Sequence, residues 1–186
     1  MHTESEKPKI QPFSKQQNIG GLKSFNCGDP VINKYVQDNL RKDGNRDNKN
    51  LFLLLANQKL MGFVSSHLFL LRRQVVPNET FTYSLPPQIA VVKISMIAVD
   101  NDYQTNGWGT QLLKFALEHA YQLSKISKDI KGVFLDAKES LVGFYAKYGF
   151  VELPDDASAI EGTKPMFLPI DRIRIIYEKN QKNTDS

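Results

Sequence analysis

Residues Ile89-Ala-Val-Val-Lys-Ile-Ser-Met-Ile-Ala-Val99 run directly into Asp100-Asn-Asp-Tyr-Gln-Thr-Asn-Gly-Trp-Gly-Thr110. The first stretch has the Val and Ile density of a central strand. The second is rich in turn formers, and a helical pattern starts immediately behind it. Leu112, Leu113, Phe115, Ala116, Leu117, Ala120 and Leu123 form one broad apolar face. A strand, a loop with two glycines and a helix start make a site for an anion. The first N–H groups of a helix have no intrahelical acceptor, and the helix dipole favours negative charge there. Gly107 and Gly109 let the backbone approach a ligand without Cβ obstruction, and Asn106 and Thr110 add side-chain donors. A Walker loop would need Lys before Ser or Thr, and Gly109-Thr110 has none; a dinucleotide fingerprint would need three glycines. A tight strand-to-helix turn, with glycines for geometry alone, remains the competing reading of these residues.

Working outward, Asp29-Pro30 predicts a helix start with an aspartate cap, and Gly44 its end. Leu51 to Ala56 is a continuous apolar run, the pattern of a strand covered on both faces. Asn57-Gln58-Lys59 reads as a hairpin turn and Leu60 to Leu71 as the returning strand. Residues 74–88 read as a loop with a short extended piece at Phe81-Thr-Tyr83. Downstream, Val133–Ala137 reads as a strand, Leu141–Tyr148 as a short helix stopped by Gly149, and Phe150-Val151 as the start of a strand. Leu153–Thr163 reads as an acidic loop and Met166–Pro169 as a last strand, followed by a tail that is amphipathic and then frays. Alternation of strands and helices predicts an α+β domain whose mixed, mostly antiparallel central sheet is flanked by helices.

With 186 residues the expectation is one domain over 1–186, with 1–18 an arm and 171–186 a C-terminal extension. Apolar content of 41% and charged content of 24% exclude a disordered chain. No apolar run approaches the roughly 20 residues of a spanning helix, so no membrane association is expected. One cysteine, Cys27, permits no internal disulfide and points to a reducing, cytoplasmic setting. Three scattered histidines, His2, His67 and His119, make no metal cluster, and no metal is expected.

Gln104-x-x-Gly107-x-Gly109 resembles the Q/R-x-x-G-x-G/A loop of the GNAT N-acetyltransferases. Ile97-Ala-Val-Asp100 resembles the end of that family's central strand, and Val133-Phe-Leu-Asp-Ala137 its next strand. Phe144-Tyr-Ala-Lys-Tyr-Gly-Phe150 resembles its F-Y-x-x-x-G-F junction. A narrower resemblance lies in Phe25-Asn-Cys-Gly-Asp-Pro-Val-Ile-Asn-Lys-Tyr35 and Met166-Phe-Leu-Pro-Ile170. Both are similar to segments of the GNAT toxins of type II toxin–antitoxin operons, although Met96 stands where those toxins usually carry arginine. The resemblance implies a GNAT-like fold and acetyl-CoA as co-substrate, cradled by Gln104, Thr105, Asn106, Gly107, Trp108, Gly109 and Thr110. It implies that backbone N–H groups of Ile97, Ala98 and Val99 meet the oxyanion. It implies transfer of acetyl to the α-amine of an aminoacyl-tRNA and neutralisation by a ribbon-helix-helix antitoxin, and it is compatible with a homodimer. The alternatives are acetylation of a small amine or protein N-terminus, or a catalytically silent acyl-CoA- or nucleic-acid-binding module.

Attack of a neutral amine on a thioester needs oxyanion stabilisation and a proton for the leaving thiolate. Tyr145 matches the family's F-Y position as that acid; a phenol with an ordinary pKa of about 10 keeps its proton at neutral pH. By spacing alone, Leu141, Phe144, Tyr145 and Tyr148 form a core-facing stripe. Asp100, Asp102, Glu118, Asp136 and Glu139 are available as bases, and none is singled out. Cys27 has no His or Asp pattern beside it and reads as a packing residue.

Residues 1–50 carry nine Lys or Arg against six Asp or Glu. Arg41, Arg46, Arg72, Arg73 and Lys93 are the candidate contacts to tRNA phosphates, which supply most sequence-independent affinity. Taken singly, each reads equally as a solvated surface charge.

Overall fold

The computed structural model describes residues 6–158 and 160–184. The first five residues of the expected arm and the last two of the C-terminal extension lie outside them. The elements are β1 (Lys9–Pro12), α1 (Pro30–Asp38), α2 (Leu40–Asn45), β2 (Asn50–Ala56), β3 (Lys59–Arg72), β4 (Gln88–Val99), α3 (Trp108–Ile126), β5 (Ile130–Lys138), α4 (Val142–Ala146), β6 (Val151–Glu152), β7 (Thr163–Pro169) and α5 (Ile170–Thr184). The strands form a seven-stranded sheet in the order β1-β2-β3-β4-β5-β7-β6. Pairs β1/β2, β2/β3, β5/β7 and β6/β7 are antiparallel and β4/β5 is parallel. A parallel pair needs a crossover, and α3 provides it. This is the mixed, mostly antiparallel sheet with helices that the sequence predicts.

Two compact units divide the chain: residues up to His67 together with Ser95–Ala116, and Leu68–Ile94 together with the residues from Leu117 on. In the first, β2 buries Leu51 to Leu55 in succession. Asn57 and Gln58, at φ 49° and 62°, make the tight turn into β3. Phe63 is fully buried between Phe25, edge-on at 6.1 Å, and Tyr35, stacked at 6.0 Å. Gly62 sits where β4 ends: a Cβ there would lie 2.8 Å from the Ala98 carbonyl oxygen and 3.3 Å from Leu112 Cδ1. Only glycine lets the strand end and the following helix come this close. Met96 packs against the same core. In the second unit, Phe134 and Phe167 are fully buried, with Phe69 stacked on Phe134 at 5.7 Å.

Four local expectations are corrected. Residues 9–12 of the expected arm form an edge strand; Lys-Ile-Gln-Pro has little apolar signal, and the open edge of β2 supplies its pairing. The first helix breaks at Asn39, whose φ of −125° is not helical. Gly44 does not end it but lies inside α2, where a Cβ would meet the Phe13 ring at 2.6 Å; the chain turns at Asp47 instead, at φ 55°. Residues 74–88 are a loop as expected, with Phe81 extended at φ −126° and ψ 137° and with 3-10 turns at Arg73–Val75 and Asn78–Thr80. The tail is helical through α5, anchored by buried Ile173 and by Tyr177 stacked on Tyr121 at 5.4 Å.

Candidate active site

Asp29 caps α1 as its type predicts: Oδ1 accepts the Val31 N–H at 2.8 Å and the Ile32 N–H at 3.2 Å. The segment before this cap lies against the end of β4. The Asn101 N–H donates to the Asn26 carbonyl at 2.7 Å. Asn26 Oδ1 accepts the Gly28 N–H and Asn33 Nδ2, at 3.0 and 2.9 Å. The Cys27 N–H donates to Asn33 Oδ1 at 2.8 Å and the Cys27 thiol to the same oxygen at 3.3 Å. Cys27 therefore belongs to the scaffold of a turn, in keeping with its reading as a packing residue.

Asp100 follows β4 and is 7% exposed. Its Oδ2 accepts the Asn26 N–H at 2.9 Å and its Oδ1 the Asp102 N–H at 3.0 Å. Both oxygens are thus engaged by backbone donors, which gives Asp100 a structural task. The Gln104 side-chain amide donates to the carbonyls of Val99 (2.9 Å) and Cys27 (3.2 Å) and to Asn101 Oδ1 (3.0 Å). Two hydrogens serve three acceptors, so one bond is shared. Three oxygens around one atom also settle which end of the amide is nitrogen.

Beyond Gln104 the loop is exposed. Thr105 is left-handed at φ 69° and Gly107 at φ 78°. For a β-branched residue this is a genuine outlier, costing on the order of 1–3 kcal/mol and persisting only where its surroundings enforce it. A left-handed residue beside a right-handed one can turn successive N–H groups toward one side, as in an anion nest. Helix α3 begins directly behind: the Gln111 N–H bonds the Gly107 carbonyl at 3.1 Å, so the N–H groups of Trp108 and Gly109 precede any helical acceptor. Cβ atoms placed on Gly107 and Gly109 would meet no heavy atom within 4 Å. Gly107 has its positive φ as a reason to be glycine. Gly109 has neither a positive φ nor a crowded Cβ, and it stands in the first turn of α3. Turn geometry alone does not account for it, and a missing Cβ leaves the room that a phosphate-bearing ligand would need. The donor set fits a pyrophosphate.

Of the remaining expected oxyanion and cradle residues, Ala98 and Val99 are buried, Ile97 is half-buried at the end of β4, and Asn106 is exposed on the loop. Trp108, Gly109 and Thr110 are half-buried at the start of α3.

Tyr145 belongs to the second unit. It is 5% exposed, with Phe144 edge-on at 5.1 Å and Phe150 at 5.8 Å. Burial pushes its phenol up to about 12. The expected core stripe is corrected: Leu141 is 41% exposed, and Phe144 and Tyr148 are only half-buried. A 3-10 turn at Glu139–Leu141 and a helix of one turn and a half do not hold the straight spacing that the stripe assumed.

The basic candidates differ in surroundings. Arg46 is exposed after α2, and Arg41 donates to the Gln17 carbonyl at 3.3 Å. Arg72 pairs with Asp156 at 2.9 Å, and Arg73 caps the Val76 carbonyl at 2.6 Å. Lys93 pairs with Asp136 at 2.7 Å. No group of His, Cys, Asp and Glu that could hold a metal is found among the described residues. No helix there is long and apolar enough to cross a membrane. Asn26 and Asn101, which the sequence reading passed over, are central to the loop's bonding. The runs Asn26-Cys-Gly28 and Asp100-Asn-Asp102, both suited to side-chain-to-backbone bonds, are their local signals.

A family model described as an acetyltransferase (GNAT) domain matches residues 11–164. A solved structure of a bacterial toxin is 32% identical, with a TM-score of 0.85 over 92% of this chain and 95% of that one. AtaT complexed with acetyl-methionyl-tRNA is 21% identical, with a TM-score of 0.78 over 91% of this chain and 99% of that one. A variant of the AtaT toxin bound to the C-terminus of the antitoxin AtaR and to acetyl-CoA is 20% identical, with a TM-score of 0.74 over 91% and 98%. At these lower identities the last two show a shared fold.

Proposed function

The chain belongs to the GNAT acetyltransferase family, and from that premise we propose that it is a translation-blocking toxin acetylating the α-amine of an aminoacyl-tRNA. Its enzymatic class is acetyl-CoA-dependent N-acetyltransferase. The observation that supports the toxin reading most is the 32% identity to a bacterial toxin across 92% of the chain. The fold shared with AtaT, described in complex with acetyl-methionyl-tRNA, agrees with it.

Acetyl-CoA supplies the thioester. The loop from Gln104 to Thr110 holds its pyrophosphate through backbone N–H groups at the α3 start, and the N–H groups of Ile97 to Val99 meet the oxyanion as preset donors. The acceptor nitrogen bonds the carbonyl carbon and the C–S bond breaks. The nitrogen sheds its surplus proton to solvent, and Tyr145 gives its own proton to the departing thiolate and regains one from solvent. An aminoacyl ester has an α-amine less basic than a lysine's, so a neutral nucleophile is available near neutral pH without a dedicated base. Asp100, both of whose oxygens are held by backbone, is not needed in that role.

A ribbon-helix-helix antitoxin, a homodimer and a cytoplasmic site of action belong to the same proposal. The AtaT variant bound to the C-terminus of its antitoxin sets a precedent for an antitoxin partner. The test is labelled acetyl-CoA offered to a mixed aminoacyl-tRNA pool, to small amines and to peptides. Label on the charged tRNA is expected. Label on amines or peptides with the tRNA pool untouched overturns the toxin reading, and no transfer to any of them favours a silent module.

A further inference from the structure

We propose that Asp100 and Gln104 are positioning residues, a latch that lashes the acetyl-CoA loop to the Asn26–Gly28 turn and thereby holds Thr105 in its left-handed, anion-ready conformation. This deepens the reading of residues 104–110 as the pyrophosphate site and rests on it.

The argument starts from direction. In a phosphate-binding loop that opens with glutamine, the amide is the obvious side chain to turn toward the ligand. Here it turns away, into the chain's own carbonyls at Val99 and Cys27 and the Asn101 oxygen. Those three acceptors belong to the end of the central strand, the turn before α1 and the 3-10 turn between strand and loop. Asp100 bridges the same pieces from the other side, one oxygen on the Asn26 N–H and the other on the Asp102 N–H. The residue next to Gln104 is the strained one: Thr105 at φ 69°. A strained residue persists where its neighbours over-determine it, and Gln104 is fixed at both its backbone, through its N–H to the Asn101 carbonyl at 3.4 Å, and its side chain. The latch also gives the Phe25-Asn-Cys-Gly-Asp-Pro30 segment a task that its sequence does not advertise. It serves as an anchor for the acyl-donor loop 77 residues away, the separation between Cys27 and Gln104.

The proposal separates positioning from direct contact by a rescue. Gln104→Ala removes the amide; Thr105→Gly removes the Cβ that resists positive φ. Affinity for acetyl-CoA is measured by calorimetry on the full chain, together with melting temperature and amide hydrogen exchange of the free protein. Gln104→Ala is expected to raise Kd about tenfold, the equivalent of one hydrogen bond. Gln104→Ala/Thr105→Gly is expected to recover most of that loss, because a loop with glycine at 105 no longer needs the latch to reach the same conformation. Asp100→Asn turns an amino group toward a backbone donor and is expected to speed exchange at the Asn26 and Asp102 amides without any ligand present. Two results overturn the latch: a Kd unchanged by Gln104→Ala, or a Kd raised equally with threonine and glycine at 105, which is the mark of a side chain that touches the ligand. If wild-type protein binds no acetyl-CoA, the reading of the loop fails. Exchange at Asn26 and Asp102 then still decides the latch, and unchanged exchange in Asp100→Asn refutes it.

Discussion

Lys93 Nζ lies 2.7 Å from Asp136 Oδ2, on side chains only 16% and 5% exposed. The ammonium also sits 5.0 and 5.1 Å from the ring centres of Phe69 and Phe134. Neither Asp136 oxygen has a partner in hydrogen-bonding geometry, so the contact is a close ion pair with poor alignment. A charge this buried and already neutralised is badly placed to collect tRNA phosphates. Arg46 contrasts with Lys93: it is exposed, and among the described residues it makes no ion pair.

Lys93→Met is therefore expected to act on stability. Removing one member of a buried pair leaves the other charge uncompensated, at about 3–5 kcal/mol. Lys93→Met/Asp136→Leu should recover most of it, since apolar replacement of the whole pair is often neutral. Chemical denaturation of the two variants checks this. A double variant as unstable as the single one would show that Asp136 has a second task.

Arg46→Ala should leave the melting temperature in place and weaken binding of charged tRNA. Removing one phosphate-binding cation lowers the slope of log K against log salt by roughly one. Titrations of tRNA at several salt concentrations measure it, and an unchanged slope removes Arg46 from the acceptor surface.

Gly109→Ala sets stability against function. Gly109 is the second residue of α3, so the helix gains less from alanine there than the roughly 0.5–1 kcal/mol of an interior position, and no neighbouring atom obstructs the new methyl group. The variant should melt higher and bind acetyl-CoA less well, and Gly109→Val should abolish binding. A more stable protein with unaltered affinity would return Gly109 to turn geometry.

The strands and helices were legible where periodicity was strong: five buried leucine and phenylalanine positions in β2, the Val/Ile run of β4, and the apolar face of α3. What was not legible depended on partners distant in sequence. Lys9–Pro12 becomes a strand because β2 has an open edge, not because of its own residues. Gly44 is glycine for the Phe13 ring, 31 positions upstream. The same holds at the site. The glycines of the loop suggested a phosphate ligand from the sequence, whereas the contacts of Asp100 and Gln104 reach backbone atoms of residues 26 and 27. Tyr145 was recognisable by its place in the Phe144-Tyr145 motif, and its spacing pointed the other way, toward a stripe that the short α4 does not form.

Alkaline stability should report the buried phenols. Tyr145 and Tyr177 are both pushed up to about 12, Tyr145 by burial alone and Tyr177 by burial first, with Glu118 adding to it. The unfolded chain ionises near 10. Their contribution is fully present below pH 10 and is lost as pH rises through 12, because the unfolded state sheds protons first. Melting temperature should fall between pH 10 and 12, less steeply in Tyr177→Phe. An equal slope in both proteins would mean that Tyr177 ionises normally in the fold.

Tyr145→Phe tests the acid. The ring contacts with Phe144 and Phe150 survive the substitution, so the variant should fold and bind acetyl-CoA with near-normal affinity. Loss of a general acid typically costs about 10²–10⁴-fold in rate. The cost here should fall toward the lower end, because a thiol with a pKa near 8.5 makes a fair leaving group unaided. The raised pKa adds a second signature. A phenol that holds its proton to about 12 stays competent as an acid across the range in which the acceptor amine becomes fully neutral. The rate should therefore rise with pH as the amine deprotonates and then stay level up to pH 10, with no descending limb from the enzyme's acid. Tyr148→Phe is the control: its ring is half-buried beside Phe144 at 5.3 Å, and its hydroxyl has no assigned chemistry, so turnover should hardly change. Steady-state rates from pH 6 to 10 for the three proteins separate the outcomes. Wild-type turnover in Tyr145→Phe, or a rate that collapses below pH 10, removes this phenol from the reaction and leaves it a buried aromatic of the second unit.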